Sequence, residues 1–316
     1  MSGRGLMAKL CGGYSHLHTH EDVAEKQASA RRAAGKMDPT RTALVRKQFE
    51  AELKRRFAEL MALITEEVVD GDGFGLITGF GMIQVNARRF DFPRSGDKVS
   101  AFMRWLRREQ SKSVLGIAEG ADIGASARSA WSNIYIDTAY QRGIRQAGAQ
   151  LRKGGAQVSE RWVESAFNRP VHADRVGLIY TRVFDELDGI TKTMDARISR
   201  SLSLGLSEGK NPRDIARDIN NEVDIGLNRA RMIARTEVVS AHAEASLNAY
   251  QEADVEGVTV EAEWSTTGDN LVCELCAELE GVTMPLEQAR NLLPRHPNCR
   301  CAWVPVIQDA RGVELR

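Results

Sequence analysis

The first two thirds of the chain are dominated by apolar residues at helical spacing. A capping carboxylate followed by proline, Asp38-Pro39, predicts a helix start, and the pattern then continues to about Val69. We expect further helices over residues 97–119, Ser126–Gln150 and Ala173 to about Leu204. The first helix is expected to bury Leu44, Phe49, Leu53, Phe57, Leu60 and Ile64, and the last one a line that includes Leu178, Leu187 and Ile198.

Asn211-Pro212 predicts the start of a short helix, Arg213–Asn221. A separate helix, Asn228–Glu252, follows with a face of small residues, which allows close helix packing. Strand-like alternation appears at 82–92, at Val258–Thr266 and at Ala302–Val306. The glycines between Gly71 and Gly81 are interpreted as a linker.

These patterns predict a mainly α protein: an elongated helical bundle with a small C-terminal α+β module that a bound zinc ion cross-links. At 316 residues the chain is long enough for more than one core. We divide it into a disordered tail at 1–37, a helical region with a short β-hairpin insert at 38–170, a helical bundle at 171–256 and a zinc-binding module at 257–316. The tail contains Cys11 and the histidines His16, His18 and His20. We expect it to be unstructured, and the alternative is that the three histidines form a second metal site.

The composition excludes some classes of protein. No apolar run approaches the roughly 18 residues that a membrane helix needs, so no membrane partner is expected. The first ten residues lack the apolar core of a signal peptide, which predicts a reducing cytoplasm as the place of synthesis.

Charge is distributed unevenly although 43 basic residues balance 43 acidic ones. Between Thr236 and Ala289 there are twelve acidic residues and no lysine or arginine. A surface this negative would repel a phosphate backbone. Arginine and lysine are instead concentrated in two helical segments, Arg88–Lys112 and Arg142–Arg161. These segments are either solvated helix faces or a path for double-stranded DNA.

Four of the five cysteines lie in one 29-residue window. A CxxC knuckle, Cys273 and Cys276, is followed by His296-Pro-Asn-Cys299-Arg-Cys301. Three thiolates and an imidazole at this spacing are the ligands of a structural zinc site. Five candidates compete for four positions, and the sequence does not decide between Cys299 and Cys301. A catalytic zinc is less favoured, because the local ligands leave no place for water. Disulfides and unlinked thiols are the alternatives.

Within the helix before the window stands Ala234-Arg235-Thr236-Glu237. Residues two apart do not share a helix face, so Arg235 and Glu237 must find partners elsewhere, and we expect a buried structural ion pair. His242 on the same helix is interpreted as a packing or surface residue rather than as a ligand.

Several short motifs, taken in order, resemble the phage Mu F-like head morphogenesis proteins, the minor capsid proteins of tailed phages. The resemblance covers residues 190–306 and is carried by Gly205–Pro212, Ile233–Glu237, Asn248, Trp264–Asp269, Cys273–Cys276, Leu279–Gly281, His296–Cys301 and Val304-Pro305.

The resemblance implies a virion component present in few copies, added to the head near the portal. Its expected partners are portal, capsid or scaffold proteins, with packaged DNA as a further candidate. Its expected locations are the capsid interior or portal vertex and, during assembly, the host cytoplasm. We therefore expect a structural protein without catalytic residues.

An enzyme is the alternative function. A zinc-finger nuclease of the His-Asn-His kind also carries CxxC and HxxC-like pairs, but it needs a separate general-base histidine, and none lies between Cys276 and His296. An ADP-ribosyltransferase, sometimes fused to head proteins of this kind, would need an additional domain. A zinc finger that reads nucleic acid is disfavoured by the acidic stretch.

Overall fold

The computed structural model describes residues 38–77, 89–118, 121, 123–167, 169–255, 259–308 and 314–315. The predicted tail at 1–37, with its histidines and Cys11, lies outside them. Seven helices precede the C-terminal sheet in the described residues: α1 Ala43–Thr65, α2 Ser95–Gln110, α3 Ile123–Arg128, α4 Asn133–Lys153, α5 Glu160–Ala166, α6 Pro170–Ser207 and α7 Pro212–Val255. The protein is mainly helical, as the sequence predicted. Helices α1 and α2 each end in a π-helical turn, Glu66–Asp70 and Ser111–Leu115.

Helix α7 is the central element, and it corrects the prediction of two helices, Arg213–Asn221 and Asn228–Glu252. It runs without interruption through Gly226. A side chain at Gly226 would lie 2.0 Å from the sulfur of Met194 on α6, so the glycine provides room for a neighbour. Packing on both sides therefore keeps the helix continuous where the local pattern suggested a break. The predicted cap is present, since the Asn211 side chain accepts a bond from the Asp214 N–H at 3.0 Å.

The N-terminal helix begins later than predicted. Asp38 does not cap it directly, because its carboxylate accepts a bond from the Thr40 N–H and pairs with Arg46. The helix starts at Ala43, and its buried line has Val45 where Leu44 was expected. Leu44 is 57% exposed, since it lies five residues before Phe49 rather than four. Leu178 on α6 was likewise assigned to the core and is 66% exposed.

Two further predictions change in detail, and a third falls mostly outside the described residues. The predicted helix Ser126–Gln150 is divided into α3 and α4, and the Asn133 side chain donates to the carbonyls of Ala127 and Arg128 at the junction. Most of the predicted hairpin at 82–92 lies outside the described residues, and the described part, 89–92, contains no strand. The segment interpreted as a linker contains Phe74, which is fully buried against Phe90 and Phe102.

The C-terminal region forms a small antiparallel sheet. Its strands are β1 Thr259–Ser265, β2 Thr283–Pro285, β3 Ala302–Gln308 and β4 Glu314–Leu315, in the order β2-β1-β3-β4. Two single-turn helices, α8 Glu274–Ala277 and α9 Leu286–Ala289, lie in the connections. Trp264 and Trp303 face each other across β1 and β3, edge to face at 5.3 Å, and both are fully buried.

Two hydrophobic clusters fill the structure. The first joins α1, α2, α4, α6 and α7. The second lies under the sheet, and Ala147 and Leu151 of α4 and Leu247 and Tyr250 of α7 contribute to it. The Tyr250 hydroxyl donates to the Trp303 carbonyl at 3.1 Å, so the sheet rests directly on the two helices. No helix within the described ranges has both the length and the apolar character needed to cross a membrane.

Candidate metal centre

The predicted knuckle is formed by the turn that leads into α8. Cys273 precedes the first residue of α8, and its carbonyl accepts bonds from the N–H groups of Cys276 and Ala277 at 3.1 and 2.9 Å. The turn directs both thiols to one side of the loop, the side on which the second half of the window, His296–Cys301, lies. There the Cys299 N–H donates to the His296 carbonyl at 3.1 Å. The two halves thus meet as two short, backbone-bonded loops.

All five candidate ligands come together around Cys276. The Nε2 atom of His296 lies 3.3 Å from the sulfurs of both Cys273 and Cys276. Two triads of ligand atoms, each mutually within 4.8 Å, share Cys276: Cys273, Cys276 and His296 form one, and Cys276, Cys299 and Cys301 the other. The four window cysteines are free thiols, and Cys276, Cys299 and Cys301 are buried. The group could hold a metal ion.

The chemistry of the donors fits a tetrahedral ion such as Zn²⁺. The Nδ1 atom of His296 lies 2.8 Å from the Pro297 carbonyl, which can only accept, so the proton is on Nδ1 and Nε2 is free to bind metal. Hydrogen bonds from Cys276 and then Cys301 lower the pKa of Cys299, and backbone N–H groups add to this effect. The pKa values of Cys276 and Cys301 are raised by their contacts with neighbouring thiols.

An ion pair joins the two halves of the window outside the ligands. Arg300 donates two bonds to Asp269, Nη1 to Oδ2 at 2.6 Å and Nη2 to Oδ1 at 2.7 Å. Asp269 also accepts from the Leu271 N–H at 3.0 Å. Bonding to Arg300 lowers the pKa of Asp269 to about 2. The pair holds the entry to the knuckle against the loop that returns with Cys299 and Cys301.

Substituting Asp269→Asn is expected to reduce the free energy of unfolding by about 1 kcal/mol at pH 7. The pKa of Asp269 is lower in the folded chain than in the unfolded one. Its stabilisation is therefore complete above about pH 4 and disappears as the pH falls through about 2. Urea unfolding of both proteins at pH 7 and pH 3 measures this. Glu274→Gln, at an exposed residue of the same knuckle, is the control, and an equal loss there would contradict a specific role for Asp269.

The acidic stretch is less negative in three dimensions than along the sequence. Arginines from other segments pair with four of its members: Arg182 with Glu237, Arg290 with Glu244, Arg169 with Glu252, and Arg300 with Asp269. Four of the twelve acidic charges are therefore neutralised where the stretch contacts the rest of the protein. Glu274, Glu278 and Glu287 remain exposed around the knuckle and α9.

The Ala234–Glu237 motif is explained by three separate contacts. Arg235 bonds Glu50 of α1, with Nη2 to Oε2 at 2.8 Å. Thr236 accepts a bond from the Asn298 N–H at 3.3 Å. Glu237 is nearly buried and pairs with Arg182 of α6. The two charged residues do find partners elsewhere, as predicted, but only Glu237 is buried, since the side chain of Arg235 is 39% exposed. The motif connects α1, the ligand loop and α6.

Asn248 lies in a polar network that the sequence did not indicate. Its amide donates to the Tyr140 hydroxyl at 3.0 Å, and its carbonyl accepts from Arg290 at 3.0 Å. The Tyr140 hydroxyl also bonds Nδ1 of the buried His172 at 2.9 Å. Arg290 follows α9, so the network attaches the sheet region to α4, α6 and α7. No local pattern identifies Tyr140, His172 or Arg290, because they meet only in the folded chain.

The two basic segments differ in how many of their charges are paired. In the first, Arg89, Lys98, Arg107 and Lys112 pair with carboxylates. In the second, Arg145, Arg152, Lys153 and Arg161 are exposed, and within the described part of the chain none forms an ion pair. Arg145 and Arg152 are seven residues apart on α4 and so share a face. The second segment therefore offers the less compensated positive surface.

Comparisons with known proteins agree with the motif resemblance. Residues 196–304 match the family model described as "Phage Mu protein F like protein". The chain is also 26% identical over 172 residues to the NAD(+)–arginine ADP-ribosyltransferase EFV of Enterococcus faecalis, a match that covers 50% of this chain and 34% of that protein. No solved structure matches the chain significantly.

The matched segment begins within α6 and ends in β3, so it contains α7 and the whole candidate metal centre. The resemblance predicted from the motifs is confirmed for that segment: residues 196–304 match the Phage Mu F-like family model.

Proposed function

We propose that this chain is a non-enzymatic minor head protein of a tailed phage, used in head morphogenesis at or near the portal. The family of residues 196–304 suggests a role in phage head morphogenesis. The observation that supports a structural role is that the polar motif residues are engaged in contacts within the fold. Arg235, Thr236, Glu237 and Asn248 hold helices and the ligand loop together, and Asp269 fastens the knuckle.

The metal in this proposal is a structural Zn²⁺ held by Cys273, Cys276, His296 and Cys299, with Cys301 as the neighbouring thiol. Cys299 is chosen as the fourth ligand because its N–H bonds the His296 carbonyl at 3.1 Å, the same turn that joins Cys276 to Cys273 in the knuckle. Thiolate-rich, buried ligand sets are typical of structural zinc sites rather than catalytic ones. When bound, the ion would cross-link two loops of a module too small to bury a large core.

The histidines argue against a nuclease of the His-Asn-His kind. Among the described residues, His172 and His242 are fully buried in the helical region, and His296 is occupied at the metal centre. No exposed histidine is left there to act as a general base. The transferase activity named for the Enterococcus faecalis protein belongs to a chain of which 34% is matched. We expect no transfer from NAD⁺ to arginine by the present chain.

Sedimentation with the phage's own portal protein, together with metal analysis, tests the main proposal. One zinc per chain and co-sedimentation with the portal are expected. Absence of binding to portal, capsid and scaffold proteins alike would overturn a role in the head.

The second basic segment is proposed to contact packaged double-stranded DNA inside the capsid or at the portal vertex. Replacing Arg145, Arg152 and Lys153 by glutamate is expected to lower DNA affinity at least tenfold at low salt. The salt dependence of binding should also decrease, because fewer counterions are released from the DNA. Fluorescence anisotropy with duplex DNA across a salt series measures both quantities. The control reverses Arg55, Arg197 and Arg217, which are exposed but paired with carboxylates. Equal losses in the two variants would contradict a specific DNA surface.

A further inference from the structure

The loop that carries His296 and Cys299 touches α7 through Asn298. This residue has a left-handed backbone, with φ of 62°, between the two candidate ligands. Its N–H donates to the Thr236 hydroxyl at 3.3 Å, and its side-chain oxygen accepts from Nη1 of Arg235 at 3.4 Å. Asparagine adopts the left-handed conformation more readily than most residues, so it suits this turn. The two contacts from α7 therefore fix the turn from which His296 and Cys299 reach the metal.

Arg235 is itself held from the opposite side by α1. Glu50 accepts bonds from Arg235 and, at 3.2 Å, from Arg231 one turn earlier on α7. The Glu50 side chain is 15% exposed, so this ion pair is partly shielded from solvent. Glu50, Arg235 and Asn298 thus form a continuous chain of contacts from α1, through α7, to the ligand loop.

We propose that Arg235 and Thr236 are positioning residues of the metal centre and that Glu50 acts on the centre through Arg235. Holding Asn298 in its left-handed conformation presets the directions of His296 and Cys299, so less ordering is needed when the ion binds. By linkage, metal binding strengthens the contact of α1 with α7 to the same degree. The inference rests on the zinc site proposed above.

The test measures zinc affinity of the full-length chain by competition with a chromophoric chelator. Thr236→Val removes the hydroxyl at nearly constant volume and is expected to weaken zinc binding about 10-fold, the low end of the range seen when outer contacts of a metal site are lost. Thr236→Ser keeps the hydroxyl and is expected to restore affinity to within about twofold. Glu50→Gln is expected to weaken binding by a smaller factor, because it loosens Arg235 without removing it.

Glu237→Gln is the matched control, since Glu237 is adjacent in sequence but bonds Arg182 on α6, away from the loop. It is expected to lower thermal stability while leaving zinc affinity unchanged. Arg235→Gln provides a second variant if Thr236→Val fails to fold, and circular dichroism shows which variants are folded.

Hydrogen exchange of the α1 amides gives a readout that does not depend on affinity. Zinc is expected to slow exchange in α1 of the wild type and to slow it less in Thr236→Val. Wild-type zinc affinity in Thr236→Val and Arg235→Gln, or an equal loss in Glu237→Gln, would overturn this inference alone. A wild-type chain that binds no zinc would overturn the metal site itself and the inference with it.

Discussion

Replacing Cys276 by serine is expected to abolish zinc binding and to unfold the C-terminal module. Cys276 is 1% exposed and is the member that both ligand triads share, so without it no three candidate ligand atoms of the window lie mutually within 4.8 Å. Structural zinc binding contributes on the order of 10 kcal/mol to the stability of small modules. Its loss should lower the free energy of unfolding by at least several kcal/mol here, a smaller effect because the buried tryptophans of the sheet contribute stability of their own. Metal analysis and thermal unfolding followed by tryptophan fluorescence measure the effect.

Cys11→Ser is the control, because Cys11 lies outside the 29-residue window; this variant should bind zinc and unfold as the wild type does. Removing zinc from the wild type with a chelator should reproduce the behaviour of Cys276→Ser. Comparing Cys299→Ser with Cys301→Ser identifies the fourth ligand, and we expect the larger loss of affinity at Cys299. Full zinc content in Cys276→Ser would show that the metal site is assigned wrongly.

Acidification from pH 6.5 to about 4 is expected to lower the free energy of unfolding by about 3 kcal/mol through His242 alone. His242 is fully buried in α7, and neither ring nitrogen has a hydrogen-bond partner in the residues that the structure describes. Burial lowers its pKa from 6.5 to about 4, since a charged ring would be desolvated there. Asp38, Arg46 and Arg142 are the nearby charges, and the two arginines oppose protonation.

The sign follows from proton binding. Between pH 6.5 and 4 the unfolded chain binds a proton at His242 and the folded chain does not, so stability falls with pH in that interval and no further below it. His242→Leu removes the titration without losing a hydrogen bond within the described fold. Relative to its own value at pH 7.5, this variant should retain about 2 kcal/mol more than the wild type at pH 5. Urea unfolding at both pH values tests this; the metal site is the same in both proteins, so its own pH dependence cancels. Parallel pH profiles would contradict the assignment.

The sequence indicated the helices best where burial follows one continuous face. The line from Phe49 to Ile64, with steps of three and four residues, is the buried line of α1, because these residues all lie on the face that packs into the first hydrophobic cluster. The prediction of helices from this pattern was wrong at helix ends and at Gly226. A glycine has the same local preference whether it ends a helix or accommodates a packed side chain, and only the presence of Met194 distinguishes the two cases.

The candidate ligands could be identified from spacing alone, because a knuckle and its return loop are local structures with strict chemical demands. Their supporting residues could not. Glu50 lies 185 positions from its partner Arg235, and Arg182 lies 55 positions from Glu237. Any surface charge has the same appearance in the sequence, so these pairs exist only as a consequence of helix packing.

The sequence by itself determined that this protein is mainly helical, that it carries a Cys/His cluster and that it resembles Mu F-like head proteins, since periodicity, ligand spacing and ordered motifs are written locally. The tertiary structure decided which charged residues are paired and which residues support the Cys/His cluster. Folding brings arginines from distant segments onto the acidic stretch, and it places Arg235 and Thr236 against the ligand loop. The physical reason is that electrostatic and hydrogen-bond partners are chosen by distance in space, which the order of residues along the chain does not specify.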